Sequence, residues 1–325
     1  WGAEKVHQPV YENLDEDGNF IHYTDLIETR IDDFLDSLGS DGPFCLSVSF
    51  KAPHVQDSDP RQFIYAERYK DLYTNVEFDL PETAGDQYYD IFPDDFKQPR
   101  KGDQLLHNEA RRRWEMRFPD KEKYQESVRS YYRLTTGVDD CIGEMTKKLE
   151  ALGVADNTII IFMGDNGFYL GEHGLAGKWY PHQESIKVPF FVYDPRASKD
   201  KRGKKVDEFA FNIDVAPTIL AFAGVEIPEK MQGINAITLL DVDKPERSDF
   251  FYEHNLEIAT IPKSEALVSK KYKYIIYHEL DPVFEEFYDL EKDPHEMNNL
   301  IGNPAYKDVL EEMKLRFEKL KNDAQ

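Results

Sequence analysis

Thr158-Ile159-Ile160-Ile161-Phe162-Met163 runs directly into Gly164-Asp165-Asn166-Gly167. The first six residues are β-branched or apolar without a break, the pattern of a strand buried on both faces of a parallel sheet. The glycines allow a tight turn at its end, where open parallel sheets bind their ligands. Asp165 and Asn166 would put three hard side-chain oxygens there. Such a set suits Ca²⁺ or Mg²⁺ and suits zinc or copper poorly. An ordinary Asp-Asn-Gly turn capping a helix is the bland alternative.

Working outward, residues 188–193 read as the next strand and 213–224 as a short helix. Upstream, 124–152 carries Val128, Leu134, Val138, Ile142, Met145 and Leu149 at helical spacing, and Gly153 stops it. Residues 23–38 form an earlier helix with Leu26, Ile27, Ile31, Phe34 and Leu35 on one face, broken over 39–43. Residues 44–50 are β-rich and predict a strand holding Cys45 as an inert buried thiol; Cys141 reads as a second buried thiol on the long helix. Between 52 and 123 the chain is polar, aromatic and irregular. The alternation of strand and helix predicts an α/β domain with a mostly parallel sheet flanked by helices, over residues 1–235. Strand-like 249–252, 266–269 and 272–277 precede a helix at 305–321, which predicts a small α+β subdomain over 236–325.

The chain has 325 residues and a formal net charge of −23, which argues against non-specific nucleic-acid binding. No apolar run approaches the length of a membrane helix. Two basic clusters, Arg111-Arg112-Arg113 and Lys201-Arg202-Gly203-Lys204-Lys205, read as solvated surface.

The motif around Asp165 continues. Gly171-Glu172-His173-Gly174 and Gly177-Lys178 follow, the lysine thirteen residues after the aspartate. The whole string resembles the calcium-dependent sulfatases of the alkaline phosphatase-like superfamily, nearest the branch acting on sulfated polysaccharides and glycosaminoglycans, including the N-acetylglucosamine-6-sulfatase type. Four more segments match in order: Lys51-Ala52-Pro53-His54 after a strand, Asp214 to Leu220 with Ala223-Gly224, Gln232-Gly233, and Tyr288-Asp289-Leu290 with Asp293-Pro294 and Asn299-Leu300. The resemblance implies that Asp165 and Asn166 ligate calcium, that Lys178 contacts the sulfate and its leaving oxygen, and that His54 contacts the sulfate and helps protonate the leaving group. His173 and His182, on either side of Lys178, would line the pocket or stand behind it. It also implies a sulfated-carbohydrate substrate and a periplasmic or secreted location.

The family's nucleophile is a formylglycine made from a Cys/Ser-x-Pro/Ala-x-Arg motif, and the chain contains no such motif. Cys45 is followed by Leu-Ser-Val-Ser, Cys141 by Ile-Gly-Glu-Met. The family's first pair of aspartate ligands also has no counterpart. The expectation is therefore a C-terminal part of a sulfatase, with the N-terminal segment a partner it needs and these residues inactive alone. A phosphatase or phosphonate monoester hydrolase of the same superfamily, or a non-catalytic carbohydrate-binding remnant, are the alternatives.

Overall fold

A computed structural model describes residues 10–38, 42–240 and 247–324. The break expected over 39–43 falls mostly outside this range. By contact the chain divides into two compact units. The first comprises Trp1–Asp79, Arg117–Ile159 and Asp194–Arg196, the second Leu80–Met116, Ile160–Tyr193 and Ala197–Gln325.

In the first unit, helix α1 (Tyr23–Asp36) packs on helix α2 (Lys121–Ala151). Both start where side chains offer caps: His22 accepts from the Thr24 N–H, and Asp120 from the Lys123 N–H at 2.8 Å. Gly153, at φ +71°, ends α2 in the left-handed region that glycine adopts at least cost. Ile27, Ile31 and Leu35 from α1 meet Cys141 and Leu149 from α2. Each such buried side chain contributes about 1.5–3 kcal/mol relative to exposure.

Residues 44–50 correct the sequence reading. They form no strand, because among the described residues no chain pairs with them. Their alternation survives: Phe44, Leu46, Val48 and Phe50 pack against the helix pair, while Cys45 is exposed rather than buried.

In the second unit, strand β1 (Ile160–Met163) pairs with β2 (Phe190–Tyr193) antiparallel, not parallel. A parallel return needs a crossover, normally a helix across the sheet face. The connection's only α-helix is the four-residue Gln183–Ile186, so the chain folds back at the same end instead. Every described strand pair is antiparallel, which corrects the expected mostly parallel sheet. β1 is also half-buried along its length rather than buried on both faces, because β2 is its one described partner.

Helix α3 (Val215–Phe222) follows, then four strands: β3 (Asp249–His254), β4 (Ser264–Ser269), β5 (Tyr272–Tyr277) and β6 (Phe284–Asp289). They form one antiparallel sheet in the order β6-β5-β4-β3. Side-chain alternation divides the sheet into two faces. Leu267, Tyr274 and Phe287 face helix α4 (Lys307–Asp323) through Met313 and Phe317. Ala266, Val268, Ile275, Tyr277 and Tyr288 join Tyr169, Leu175 and Tyr180 in the other cluster. Asn299 explains its place in the C-terminal signature. Its side chain accepts from the Phe287 N–H and donates to the Glu285 carbonyl, both at 3.0 Å, standing in for a fifth strand along β6.

Candidate functional site

The Asp-Asn turn leaves β1 at Gly164, whose N–H donates to the Pro189 carbonyl at 3.1 Å. Gly167 then donates to the Ser185 carbonyl at 2.8 Å. Any side chain at Gly167 would collide with the Glu184 carbonyl oxygen, 2.1 Å from an ideal Cβ, so glycine is required by the close approach. Asp165 is exposed; its Oδ1 accepts the Asn166 N–H at 2.9 Å. The Asn166 Nδ2 donates to the Gly167 carbonyl at 2.7 Å, which leaves its amide oxygen as the atom suited to a cation. The Asn212 Nδ2 holds the Asp165 carbonyl at 2.9 Å.

Asn212 sits two residues before Asp214, the anchor of the α3 start. Asp214 is fully buried. Its carboxylate accepts from the Phe211 N–H at 2.7 Å and the Ile234 N–H at 2.9 Å, and pairs with both Arg247 guanidinium nitrogens at 2.7 and 2.8 Å. Burial alone would raise its pKa; Arg247 and the two N–H donors outweigh burial and hold it below the ordinary value. Asp214→Ala leaves a largely buried guanidinium unpaired and is expected to cost about 3–5 kcal/mol of stability, read as a lower denaturant midpoint. An unchanged midpoint would show that the ion pair does not anchor this segment.

Lys178 is brought back to the turn by a small hairpin. Tyr169–Leu170 pairs with Ala176–Gly177, Tyr169 opposite Gly177. Lys178 therefore emerges beside Phe168, two residues after Asn166. Gly171, His173 and Gly174 all take positive φ to close this hairpin. Lys178 is half-buried.

His173 and His182 are not at the surface. They are 1% and 0% exposed and stack at 4.4 Å. Neither ring nitrogen of His173 has a hydrogen-bond partner among the described residues, and its Nε2 lies 3.8 Å from Glu184 Oε2. Burial, then the charges of His182 and Lys273, push His173 well below the ordinary histidine value. His182 shares a hydrogen bond with the Tyr169 hydroxyl at 2.7 Å and faces the buried Glu286 at 3.4 Å. Burial opposes charge on both members of that pair. Their attraction outweighs it, so His182 titrates above its ordinary value and Glu286 below. Burial also pushes Glu172 up to about 7.

His54 belongs to the first unit. Its Nδ1 contacts the Val55 carbonyl at 2.7 Å, and its own carbonyl accepts from the Tyr11 hydroxyl at 2.6 Å. Asp165, Asn166, Lys178, His173 and His182 all lie in the second. The two basic clusters part ways. Arg111 stacks on Tyr89 and Trp114, and Arg113 pairs with Glu109 at 2.7 Å, so these two are packed rather than solvated, while Arg112 between them is exposed as expected. Lys204 and Lys205 are exposed. The sequence pattern does not single out Asn212 or Asp214's partner Arg247; an asparagine just ahead of a helix is the one local signal that could have found the first.

The sulfatase family profile matches residues 2–225, more than half of the chain. The chain belongs to the sulfatase family. A second profile, the C-terminal part of N-sulphoglucosamine sulphohydrolase, matches residues 171–323. The N-acetylglucosamine-6-O-sulfatase of Bacteroides thetaiotaomicron is 27% identical over 352 residues, covering 90% of this chain and 60% of the relative. An arylsulfatase of Clostridium perfringens is 30% identical over 298 residues, covering 90% of this chain and 56% of its own. This sulfatase chain thus spans little more than half the length of these curated relatives. Among solved structures, one in complex with its substrate D-glucosamine-2-N,6-O-disulfate superposes with a TM-score of 0.76 at 27% identity, covering 94% of this chain and 71% of that one. A phosphonate monoester hydrolase of Agrobacterium radiobacter gives 0.71 at 21% identity over 93% and 61%, which shows a shared fold. The α/β class follows for this chain. Among the described residues no helix is long and apolar enough to cross a membrane.

Proposed function

We propose that the protein hydrolyses a sulfate ester of a carbohydrate, with an amino sugar carrying a 6-O-sulfate as the substrate class. The observation that supports this reading is the hairpin that sets Gly177, the residue before Lys178, opposite Tyr169, three residues after Asn166, in a chain of the sulfatase family. The relative named for N-acetylglucosamine-6-O-sulfate and the neighbour bound to a 6-O-sulfated glucosamine support the substrate class. In this reading residues 1–235 belong to the catalytic α/β part and 236–325 to a smaller α+β subdomain.

Hydrolysis breaks the S–O bond to the sugar oxygen, which must leave with a proton. Lys178 supplies fixed positive charge to that oxygen and to the sulfate, and His54 supplies the proton. The nucleophile is a formylglycine carried by a motif that these residues lack. The donor set at the turn fits a hard cation: two carboxylate oxygens of Asp165 and the amide oxygen of Asn166, calcium before magnesium. Bound there, the cation would neutralise sulfate charge. Calcium takes about 6–8 ligands, and among the described residues no group of three or more His, Cys, Asp or Glu gathers to complete the set. A periplasmic or secreted location accords with such substrates.

The test is sulfate release by the full-length protein from N-acetylglucosamine-6-sulfate, set against a phosphonate monoester and a phosphate monoester. Preference for the sulfate ester is the expected result. Preference for the phosphonate would make the protein a phosphonate hydrolase, and sugar binding without turnover would make it a binding remnant.

A further inference from the structure

Residues 179–185, immediately after Lys178, form a largely buried strap held at almost every position, three of them (179, 181 and 182) by the antiparallel sheet. The Trp179 carbonyl accepts from the Tyr252 hydroxyl of β3 at 3.1 Å. The Tyr180 hydroxyl accepts from the Asn108 side chain at 2.9 Å, and the ring is fully buried. The Pro181 carbonyl accepts from the Lys273 ammonium of β5 at 2.7 Å. His182 faces Glu286 of β6. The Gln183 N–H donates to Glu296 at 2.7 Å. Lys273 and Glu296 are themselves an ion pair at 2.6 Å, with neither side chain exposed. The strap then ends on the Glu184 and Ser185 backbone, against which Gly167 is pressed.

A fully buried lysine and glutamate are expensive to desolvate, and such a pair is weak as a stabilising device. Here each partner spends a second interaction on the strap, one on a carbonyl and one on an N–H, on either side of His182. We infer that Lys273, Glu296 and Tyr252 are positioning residues: the C-terminal sheet sets the place of Lys178 at one end of the strap and of the Asp165-Asn166-Gly167 turn at the other. The inference rests on the sulfatase reading of Lys178. A catalytic charge misplaced by about 1 Å can cost about 100-fold in rate, so a rigid strap behind it acts on turnover more than on fold.

The experiment uses the full-length protein. Lys273→Met combined with Glu296→Leu replaces the pair by apolar side chains of similar size, an exchange that is often neutral for stability. It deletes both contacts to the strap. The expected result is a kcat about 10–100-fold lower with KM changed by less than about threefold, in a folded protein whose unfolding midpoint is lowered by the Pro181 carbonyl and Gln183 N–H left unpaired. The Arg316–Asp249 pair, 2.8 Å apart in the same sheet and helix α4 but touching no strap residue, provides the comparison. Arg316→Met with Asp249→Asn should keep the parental kcat. A folded Lys273→Met/Glu296→Leu protein with parental kcat overturns the inference. Should that protein not fold, Tyr252→Phe removes only the hydroxyl on the Trp179 carbonyl: a severalfold lower kcat supports the strap, a parental kcat overturns it. Parental kcat in Lys178→Ala would instead overturn the functional reading beneath it.

Discussion

Residues 1–325 purified by themselves, given saturating calcium and a chromogenic aryl sulfate, release no sulfate above background. The reason lies in the residues present. A formylglycine nucleophile needs a Cys/Ser-x-Pro/Ala-x-Arg motif, and neither cysteine stands in one. Cys141 is a poor substitute: it is fully buried, and burial pushes its thiol up to about 12, so it holds almost no thiolate at neutral pH. Cys45 is exposed but unactivated by any motif. The turn at Asp165 and Asn166 offers three oxygens to a cation that takes about 6–8. Removing one electrostatic group typically costs about 100–1000-fold. Loss of nucleophile and of most of the metal set should leave nothing measurable. The comparison is the same residues within a chain that also carries the motif. Turnover by the 325 residues, abolished by Lys178→Ala to exclude a contaminant, would refute the argument.

In the full-length protein, Lys178→Ala lowers kcat for a sulfate ester by about 100–1000-fold, the usual cost of one preorganised charge at a developing anion. KM changes far less, because the ammonium matters most as the sugar oxygen departs. The hairpin gives the lysine its place: Gly177 opposite Tyr169 fixes the register, and the turn with three positive-φ residues returns the chain. Lys178→Arg should recover little, since a planar guanidinium cannot occupy the position of a compact ammonium behind so fixed a backbone. Steady-state kinetics and an unfolding curve on the same preparations separate lost chemistry from lost fold. An intact kcat would remove Lys178 from the reaction.

Local chemistry was legible where one segment settles its own structure. The periodicity at 23–38 and 124–152 gave helices α1 and α2 within a few residues, because caps and a left-handed glycine end them. The readings at 249–252, 266–269, 272–277 and 305–321 likewise match three strands and α4, with β6 the strand that the pattern left unmarked. The apolar run at 44–50 shows the limit: alternation predicted which side chains turn inward, yet a strand needs a partner, and no local signal supplies one. Direction failed for the same reason. The run 158–163 says strand, but only the return path through the hairpin and strap makes its pairing with 190–193 antiparallel.

By itself, then, the sequence determined the family, through the residues of the Asp165 to Lys178 string, and the chemical character of the turn, because oxygen ligands and a lysine are properties of residue types. Tertiary structure decided which of the charged and aromatic residues stand behind that turn. His173 and His182, close in sequence to Lys178, are buried against the sheet instead of opening to solvent. Lys273, Glu286 and Glu296, about a hundred residues away, hold the strap. A buried charge is tolerable only where partners converge from distant strands, and that convergence is set by sheet register, which no single segment encodes.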